Sequence, residues 1–267
     1  MWLKKKIKDE PKMVLANNEF KIYLQPKFDI IKNKIVGAEA LIRWQKEKKI
    51  ILPDKFISAF EKNGFISKID FFVLEQVCLK IKDWLKKNMN AFKISVNISG
   101  VTLSNKKFIS SLKKISEKYK NCIRYLELEI TEMALSNFKN ADLFLDVINK
   151  IKEFGFGLAM DDFGSGYSNL NLLCDMNIDV LKLDKGFLSN KKNIMRAQIV
   201  IKYIILMAKK LGLSVVVEGV ETREQIDFLK SVGCEIVQGF YFSEALSINE
   251  FENKFMNINK IEGDGLY

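Results

Sequence analysis

Short apolar runs alternate with longer amphipathic segments along most of the chain. From residue 92 onward, this alternation becomes a repeat in which a strand-like run precedes a segment with helical spacing of apolar residues. The predicted strands of the repeat are Phe92 to Ser99, Tyr125 to Thr131, Leu158 to Asp162, Val180 to Asp184, Ser214 to Val220 and Ile236 to Gly239. Short connections between such strands and helices are typical of parallel strands. The pattern therefore predicts an α/β fold built on a parallel sheet.

The opening of the chain has a different pattern. Two strand-like segments, Glu19 to Ile30 and Lys34 to Trp44, flank a turn at Asn33, which predicts a hairpin. Two helices are predicted next, over Asp54 to Asn63 and over Ile69 to Asn88. With the hairpin, the strand count reaches eight, and 267 residues suit one TIM-like (β/α)8 barrel.

Polar side chains lie at or near the ends of the predicted strands of the repeat. These residues are Asn97, Glu129, Asp161, Lys182, Glu218 and Gln238. The first three follow one another at intervals of 32 residues. Barrel enzymes place their active sites at the C-terminal ends of the strands. The spacing therefore predicts that these side chains converge at the mouth of the barrel.

Strand alternation decides which side chains can meet inside the barrel. In the strand that ends at Thr131, Glu127 and Glu129 share one face, and in the next-but-one strand Val180 shares a face with Lys182. If the intervening leucines pack against helices, the polar residues point inward. Each one also has a structural alternative: Glu127 could be an exposed edge residue and Lys182 a buried ion-pair partner.

Two further positions carry charge on apolar strands. Glu39 shares a strand face with Leu41 and Arg43, and a glutamate flanked by alanines needs a partner such as a metal ion or an arginine. Asp161 and Asp162 are adjacent acids at a strand end, and such a pair is most stable around a cation or a proton. The alternative for the aspartates is an exposed turn.

The amino-acid composition limits which catalytic groups and metal ligands the chain can offer. The chain has no histidine, which excludes histidine-based triads, histidine general bases and histidine-assisted zinc sites. Its four cysteines lie far apart and are predicted to be buried thiols in a reducing compartment: Cys78, Cys122, Cys174 and Cys234. Any metal ligands are therefore oxygen atoms, which suit magnesium or manganese.

The net charge of +10 favours anionic partners, although the lysines are scattered along helices and a solvated basic surface is the favoured alternative. No apolar run is long enough to span a membrane. We predict a basic lead-in over 1–15, a barrel domain over 16–258 and a tail over 259–267. The lead-in could contact a membrane surface, be the remnant of a linker, or fray in solvent.

The predicted cluster suits phosphodiester hydrolysis. Four oxygen ligands for one cation come from Glu39, Asn97, Glu129 and Asp161, and Asp161 can bridge to a second cation held by Asp162 and Glu218. Two such cations can clamp the attacking and leaving oxygens of a displacement. Lys182 adds fixed positive charge. Arg43 can grip a phosphate, or it forms a salt bridge at the rim.

Several motifs in order carry a family resemblance. They are Gln25-Pro26, GAEALIRW around Glu39, SVNIS around Asn97, ELEITE around Glu129, DDFGSGYS, VLKLDKGF around Lys182, VVVEGVET around Glu218 and VQGFYFS around Gln238. Over residues 16 to 258 this series resembles the EAL-domain family. The resemblance implies a barrel whose first strand is antiparallel. It also implies a metal-dependent phosphodiesterase that opens cyclic di-GMP to linear pGpG.

The resemblance also implies roles for individual residues. The metal ligands would be Glu39, Asn97, Glu129, Asp161, Asp162 and Glu218. Catalytic roles fall to Glu218, Lys182 and Asp162, and substrate contacts to Gln25, Leu41, Arg43 and Gln238. Glu132 and Glu221 match positions that couple the loop after Asp162 to dimerisation. The expected cofactor is magnesium or manganese at a two-metal site, with calcium inhibitory.

The expected partners are cyclic di-GMP and a second copy of the chain. We expect the dimer contact near Ser168 to Met176, because Leu170, Leu172 and Leu173 are numerous for a short surface helix. They could equally cap the core. We expect a bacterial cytoplasmic protein that binds no nucleic acid polymer, with membrane contact only through a tether outside this chain. The alternatives in function are a non-catalytic cyclic di-GMP receptor and an interaction module.

Overall fold

A closed barrel of eight strands forms the centre of the computed structural model. The structure describes residues 15, 17–46, 49–165, 170–189 and 193–256. The strands are β1 Phe20–Asp29, β2 Lys34–Lys46, β3 Lys49–Ile51, β4 Lys93–Asn97, β5 Leu126–Thr131, β6 Gly157–Phe163, β7 Val180–Leu183, β8 Ser214–Val217, β9 Ile236–Val237 and β10 Leu246–Ser247. The barrel contains β1, β2 and β4 to β9. Two short strands that the sequence did not predict lie outside the barrel: β3 pairs with β2, and β10 pairs with β1.

The first strand closes the barrel in the opposite direction to the others. β1 pairs antiparallel with β2 on one side and with β9 on the other. The remaining barrel strands, from β2 through β9, pair in parallel. A tight turn makes this hairpin possible, because Asn33 adopts a left-handed backbone with φ of 50°. The predicted (β/α)8 barrel with an antiparallel first strand is confirmed.

Helices cover the outside of the barrel. They are α1 Ile57–Lys62, α2 Ile66–Lys86, α3 Gly100–Leu103, α4 Phe108–Lys118, α5 Ala141–Glu153, α6 Leu170–Asp175, α7 Gly186–Ser189, α8 Ile194–Lys210, α9 Arg223–Ser231 and α10 Ile248–Phe255. Three short 3-10 helices lie at Pro53–Lys55, Ile123–Tyr125 and Glu132–Asn137. Side-chain caps fix several starts: Thr222 and Gln225 form a capping box at α9. No helix among the described residues is long and apolar enough to cross a membrane.

The strands have two different faces. On β5, Leu126, Leu128 and Ile130 point outward into the main core between strands and helices. Inside the barrel, a separate small apolar cluster of Ala159, Val180 and Val216 fills the space. The charged inward residues lie on the same strands, so the interior is apolar in one part and ionic in another. This confirms the predicted strand alternation.

Some sequence-based bounds and environments were wrong. β8 ends at Val217 rather than Val220, because Gly219 has a left-handed backbone with φ of 68° that turns the chain. Cys174 is exposed, unlike the other three cysteines, so the prediction of four buried thiols fails there. Residues 1–14 of the lead-in, the tail and Ser168 lie outside the described residues.

Candidate metal and catalytic site

Carboxylates from the three strands β2, β5 and β6 and from the residue that follows β8 meet at the C-terminal mouth of the barrel. The first group consists of Glu39, Glu129 and Asp161, and the second of Asp161, Asp162 and Glu218. Within each group, one carboxylate oxygen of every residue lies within 4.8 Å of the others. Asp161 belongs to both groups. The predicted sharing of Asp161 between two cation sites is therefore geometrically available.

The backbone at Asp162 brings two sequential acids to one place. Alternation along a strand would send Asp161 and Asp162 to opposite faces. Asp162 instead has a left-handed backbone with φ of 55°, and the pairing of β6 with β7 shifts register between Met160 and Phe163. Its amide N–H donates to Asp161 Oδ1 at 2.9 Å. Such a conformation is uncommon outside glycine and typical of functional sites.

Amide side chains orient Glu39 from two sides. Asn97 Nδ2 donates to Glu39 Oε1 at 2.7 Å, and Gln238 Nε2 donates to Glu39 Oε2 at 2.7 Å. Gln238 also donates to Gln25 Oε1 at 3.3 Å, which joins two predicted substrate positions. The Gln238 Oε1 atom is buried and has no hydrogen-bond partner. A buried acceptor without a donor requires an explanation, and a cation or a water ligand would supply it.

Lys182 lies at the centre of both acidic groups. Its side chain is fully buried, and its Nζ atom is 2.8 Å from Glu129 Oε2 and 3.1 Å from Asp161 Oδ1. The same atom is 2.7 Å from Glu218 Oε1 and 3.4 Å from Glu39 Oε2. The carboxylates hold the pKa of Lys182 well above its ordinary value despite the opposing effect of burial. Lys182 is therefore a buried ion-pair partner, as the structural alternative predicted, and this does not exclude a catalytic role.

Sequence reasoning missed Lys27, a second buried lysine below the acidic groups. Its Nζ atom is 2.9 Å from Glu129 Oε1 and 3.1 Å from Glu127 Oε1. Glu127 is therefore a buried ion-pair partner and not an exposed edge residue. The signal was present in the sequence, because Lys27 follows Gln25 by two residues and shares its strand face.

The pKa values of the acids shift in different directions. Burial raises the pKa of Glu39 and of Asp161, and neighbouring carboxylates add to the effect. Burial also raises the pKa of Glu218 to about 8, since the attraction of Lys182 only partly offsets it. For Glu129 the attraction of Lys182 and Lys27 outweighs burial and lowers the pKa to about 2. The two lysines thus stabilise the ionised form of Glu129, but they do not offset the effect of burial on Glu39, Asp161 and Glu218.

The charge balance fits divalent cations. The buried charged residues of this region are two lysines, Lys27 and Lys182, and four acids, Glu39, Glu127, Glu129 and Asp161. The half-buried Asp162 and Glu218 bring the acids to six, so the cluster has four uncompensated negative charges when every acid is ionised. Two divalent cations would neutralise them. All the donors are oxygen atoms, as magnesium and manganese prefer.

Of the predicted substrate contacts, Leu41 lines a cavity beside this cluster. A cavity of about 240 Å³ opens next to Asn97 and is lined by Leu41, Ile57 and Asp70 among others. Arg43 is half-buried, and its guanidinium lies 5.7 Å from the centre of the Tyr23 ring. No ion pair is found for Arg43 among the described residues, so its charge is available to a ligand.

Asp70 is a second residue that sequence reasoning missed. Its Oδ2 atom accepts from the Ser99 amide at 2.9 Å, from the Ser99 hydroxyl at 2.9 Å and from the Thr102 hydroxyl at 2.6 Å. Burial nevertheless raises the pKa of Asp70 to about 6. Because it lies on α2, Asp70 ties that helix to the start of α3, directly after the strand end that carries Asn97.

The two residues predicted to couple the loop to dimerisation follow strands β5 and β8. Glu132 begins the 3-10 helix after β5, and Glu221 lies just before α9 with its amide donating to Gln225 at 2.7 Å. Of the three leucines of α6, Leu172 and Leu173 are buried in the main core and Leu170 is exposed. The apolar residues of α6 therefore serve mainly to cap the core, and the expected dimer surface there is wrong for Leu172 and Leu173.

The family model described as "EAL domain" matches residues 8–245 of the chain. Cyclic di-GMP phosphodiesterase NbdA of Pseudomonas aeruginosa is 32% identical over 247 residues, which cover 92% of this chain and 31% of that protein. Probable cyclic di-GMP phosphodiesterase PdeB of Escherichia coli is 32% identical over 238 residues, with coverages of 89% and 45%. The chain thus spans about a third to a half of the length of these relatives.

Solved structures agree with the barrel. The PaMucR phosphodiesterase in complex with c-di-GMP superposes with a TM-score of 0.85 at 28% identity, covering 94% of this chain and all of that chain. An EAL domain protein from Listeria monocytogenes superposes with a TM-score of 0.80 at 30% identity, with coverages of 91% and 95%.

Proposed function

Because the chain belongs to the EAL domain family, we propose that it hydrolyses cyclic di-GMP to linear pGpG with divalent cations. The single observation that carries the proposal is the pair of acidic groups sharing Asp161 at the barrel mouth. A binding protein needs no such concentration of uncompensated negative charge around an anionic ligand. A phosphodiesterase that works with two cations does.

The residues would divide the work as follows. Glu39, Asn97, Glu129 and Asp161 would hold one cation, and Asp161, Asp162 and Glu218 the other. The cations, when bound, would polarise the scissile phosphate and favour ionisation of the attacking water.

The remaining chemistry belongs to the chain's own side chains. Glu218 would accept the proton of the attacking water, and Lys182, which contacts Glu218, would stabilise negative charge on the phosphate. The water oxygen would form a bond to phosphorus and the bond from phosphorus to the 3′ oxygen would break. The leaving 3′ oxygen would take up one proton from solvent, and Glu218 would return to solvent the proton that it took from water, so that one water molecule is consumed. Arg43, Leu41, Gln25 and Gln238 would position the dinucleotide from the rim.

Two properties of the cations follow from the donor set. Carboxylate and amide oxygens favour magnesium or manganese, both of which accept compact sites with short bonds. Calcium has longer bonds and higher coordination numbers, so we propose that it binds without supporting turnover.

The Glu218→Gln variant and the wild type together distinguish an enzyme from a receptor that only binds cyclic di-GMP. The variant keeps the shape of the side chain and removes its charge, so we expect binding of cyclic di-GMP within a few-fold and loss of turnover by about 100-fold or more. The measurement is chromatographic separation of cyclic and linear dinucleotide after incubation with Mg²⁺, alongside a binding titration. Wild-type protein that binds cyclic di-GMP but releases no linear product with Mg²⁺ or Mn²⁺ would establish the receptor alternative.

We also propose that the chain forms a homodimer, through α8 and not through α6. α8 has apolar residues on two sides: Ile201 and Ile205 are buried in the core, whereas Met195, Ile199 and Tyr203 are exposed. An amphipathic surface helix normally has polar residues opposite its buried face, so an exposed apolar stripe there indicates a surface that another molecule covers. The exposed residues form one stripe with helical spacing, which a second copy would cover.

Sedimentation velocity tests the dimer. Tyr203→Glu puts a charge in the centre of the stripe and should shift the protein toward the monomer. Lys114→Glu on α4 changes an exposed residue away from α8 and should leave the dimer intact. Wild-type protein that sediments only as a monomer at high concentration would contradict the proposal.

A further inference from the structure

Lys182 occupies the position at which the two acidic groups meet. Glu129, Asp161 and Glu218 each place a carboxylate oxygen between 2.7 and 3.1 Å from its Nζ atom, and Glu39 places one at 3.4 Å. An ammonium has three protons to donate. Four carboxylates therefore compete for three protons, and the acids come from both groups.

The oxygen atoms that contact Lys182 belong to the same residues that would hold cations. Glu39, Glu129 and Asp161 form the first acidic group, and Asp161 and Glu218 belong to the second. The ammonium is buried, and carboxylate oxygens of four residues lie within 3.4 Å of it. It thus does what a metal ion does at such a place, which is to hold several carboxylates together.

We propose that Lys182 is a stand-in cation that assembles both acidic groups in the metal-free protein and is displaced when metal binds. The inference rests on the proposed two-cation function, because it concerns how those cations enter. Two positive charges about 4 Å apart in a protein interior repel strongly. A metal ion in the first group would therefore drive the ammonium away from Glu39 and Asp161.

The displacement would make Lys182 available for the reaction. In the metal-free protein its protons are committed to carboxylates. Once a cation takes over Glu39 and Asp161, the flexible lysine can turn toward an anionic phosphate instead. Metal binding would then assemble the catalytic lysine as well as the cation sites, and the metal-free chain would fold and remain inactive.

Lys27 is a natural comparison for this role. It is buried and also contacts Glu129, but through the other carboxylate oxygen. Its second ion-pair partner among the described residues is Glu127, which belongs to neither acidic group. A metal ion would compete with Lys182 for its partners far more than with Lys27.

The test compares Lys182→Met with Lys27→Met by titrating Mn²⁺ into metal-stripped protein, using calorimetry or the free-ion signal in electron paramagnetic resonance. Both variants remove one buried positive charge beside Glu129. If Lys182 competes for the site, its removal should tighten Mn²⁺ binding by about tenfold or more. Lys27→Met should change the affinity much less. Equal changes in both variants, or weaker binding by Lys182→Met, would overturn the proposal.

Folding gives a second readout. Lys182→Met leaves buried carboxylates without their cation, so the metal-free variant should melt at a lower temperature than wild type. Mn²⁺ should raise its melting temperature more than it raises that of wild type. A variant that is unfolded without metal and regains the wild-type circular dichroism with Mn²⁺ supports the proposal, and one that stays unfolded with Mn²⁺ contradicts it.

Neither readout requires substrate. If wild type cleaves cyclic di-GMP while Lys182→Met binds Mn²⁺ no more tightly, only the stand-in role fails. If Lys182→Met binds Mn²⁺ more tightly while wild type cleaves nothing, the proposed phosphodiesterase activity fails and the competition between lysine and metal remains.

Discussion

At the residue scale, Glu39 combines burial with negative charge at a position where the chain itself supplies too little compensation. Three side chains reach its carboxylate: Asn97, Gln238 and, at a longer distance, Lys182. Burial still raises its pKa, with the nearby charge of Glu129 as the next cause. A carboxylate under these conditions contributes little to the stability of the metal-free fold and much to cation binding.

Replacing this charge tests the ligand assignment. Glu39→Gln should reduce turnover by more than about 100-fold, because even residues that only support metal ligands cost 10- to 100-fold when changed. The matched control is Glu127→Gln, which alters another buried, inward-facing glutamate that belongs to neither acidic group. Steady-state kinetics with Mg²⁺ and a Mn²⁺ titration measure both variants. Similar turnover in the two variants would show that Glu39 is no ligand.

How far the sequence predicts the site also depends on individual residues. Strand alternation with leucines on the other face was enough to place Glu129 and Lys182 inside the barrel. The same rule failed at Asp162, because a left-handed backbone and a shifted register there break the alternation. Asp70 left no signal, since a lone acid within a helix pattern usually faces solvent, and only the packing of α2 against the strand ends buries it.

At the scale of elements, the first residue after β6, Gly164, lies against α7. Gly164 has φ of 90°, and a Cβ atom there would collide with the ring of Phe187 on α7. Gly212, after α8, also has a positive φ of 77°, but open space surrounds its missing Cβ. An alanine at either position would strain the backbone, but only an alanine at Gly164 would also collide with a neighbouring side chain.

Gly164→Ala should displace the loop that follows Asp162 and lower turnover by about tenfold or more, since small misplacements of reacting groups are costly. Gly212→Ala should destabilise the fold by about 1 kcal/mol and leave turnover nearly unchanged. Kinetics and urea unfolding of both variants make the comparison. Equal losses of turnover would mean that the contact with Phe187 does not position the site.

The link between α2 and α3 predicts a pH effect on stability. The pKa of Asp70 is raised from 3.8 to about 6 in the folded protein by burial, with a minor contribution from Glu61. The unfolded chain therefore ionises first, and this group's contribution to stability falls as pH rises from about 4 to about 6. Above that range it is constant.

Asp70→Asn removes this titration. The free energy of unfolding of the variant, minus that of wild type, should rise by up to about 3 kcal/mol between about pH 4 and pH 7. Urea unfolding at several pH values, with EDTA present, measures it. Subtracting wild type cancels the other titrating acids. A difference that does not change with pH would mean that Asp70 ionises normally in the fold.

At the scale of the whole molecule, the barrel brings together residues far apart in sequence because parallel strands end at one edge. Length, the repeat of strands and helices, and the absence of histidine predicted both the architecture and the class of metal ligand. The contribution of β1 was harder to foresee, because its antiparallel direction places Lys27 beneath Glu129 from the opposite end of the chain. Which apolar residues of α8 are exposed depends on tertiary packing and could not be deduced from the sequence, because apolar residues occur on more than one side of this helix.

Calcium should act on the intact site as an inhibitor. Its oxygen ligands are the same, but bonds of about 2.3–2.6 Å and a higher coordination number suit the compact two-cation arrangement poorly, compared with about 2.0–2.1 Å for magnesium. Turnover at fixed Mg²⁺ should fall as Ca²⁺ rises, while cyclic di-GMP still binds in Ca²⁺ alone. Full turnover in Ca²⁺ alone would refute this selectivity.

The number of cations needed for turnover tests the central claim most directly. Metal-stripped protein is titrated with Mn²⁺, and bound Mn²⁺ and the rate of cyclic di-GMP hydrolysis are measured in the same samples. We predict no hydrolysis without metal and a rate that reaches its maximum only when about two ions are bound per chain. Hydrolysis in excess EDTA, or a maximal rate with one ion per chain, would contradict a site built from two acidic groups sharing Asp161.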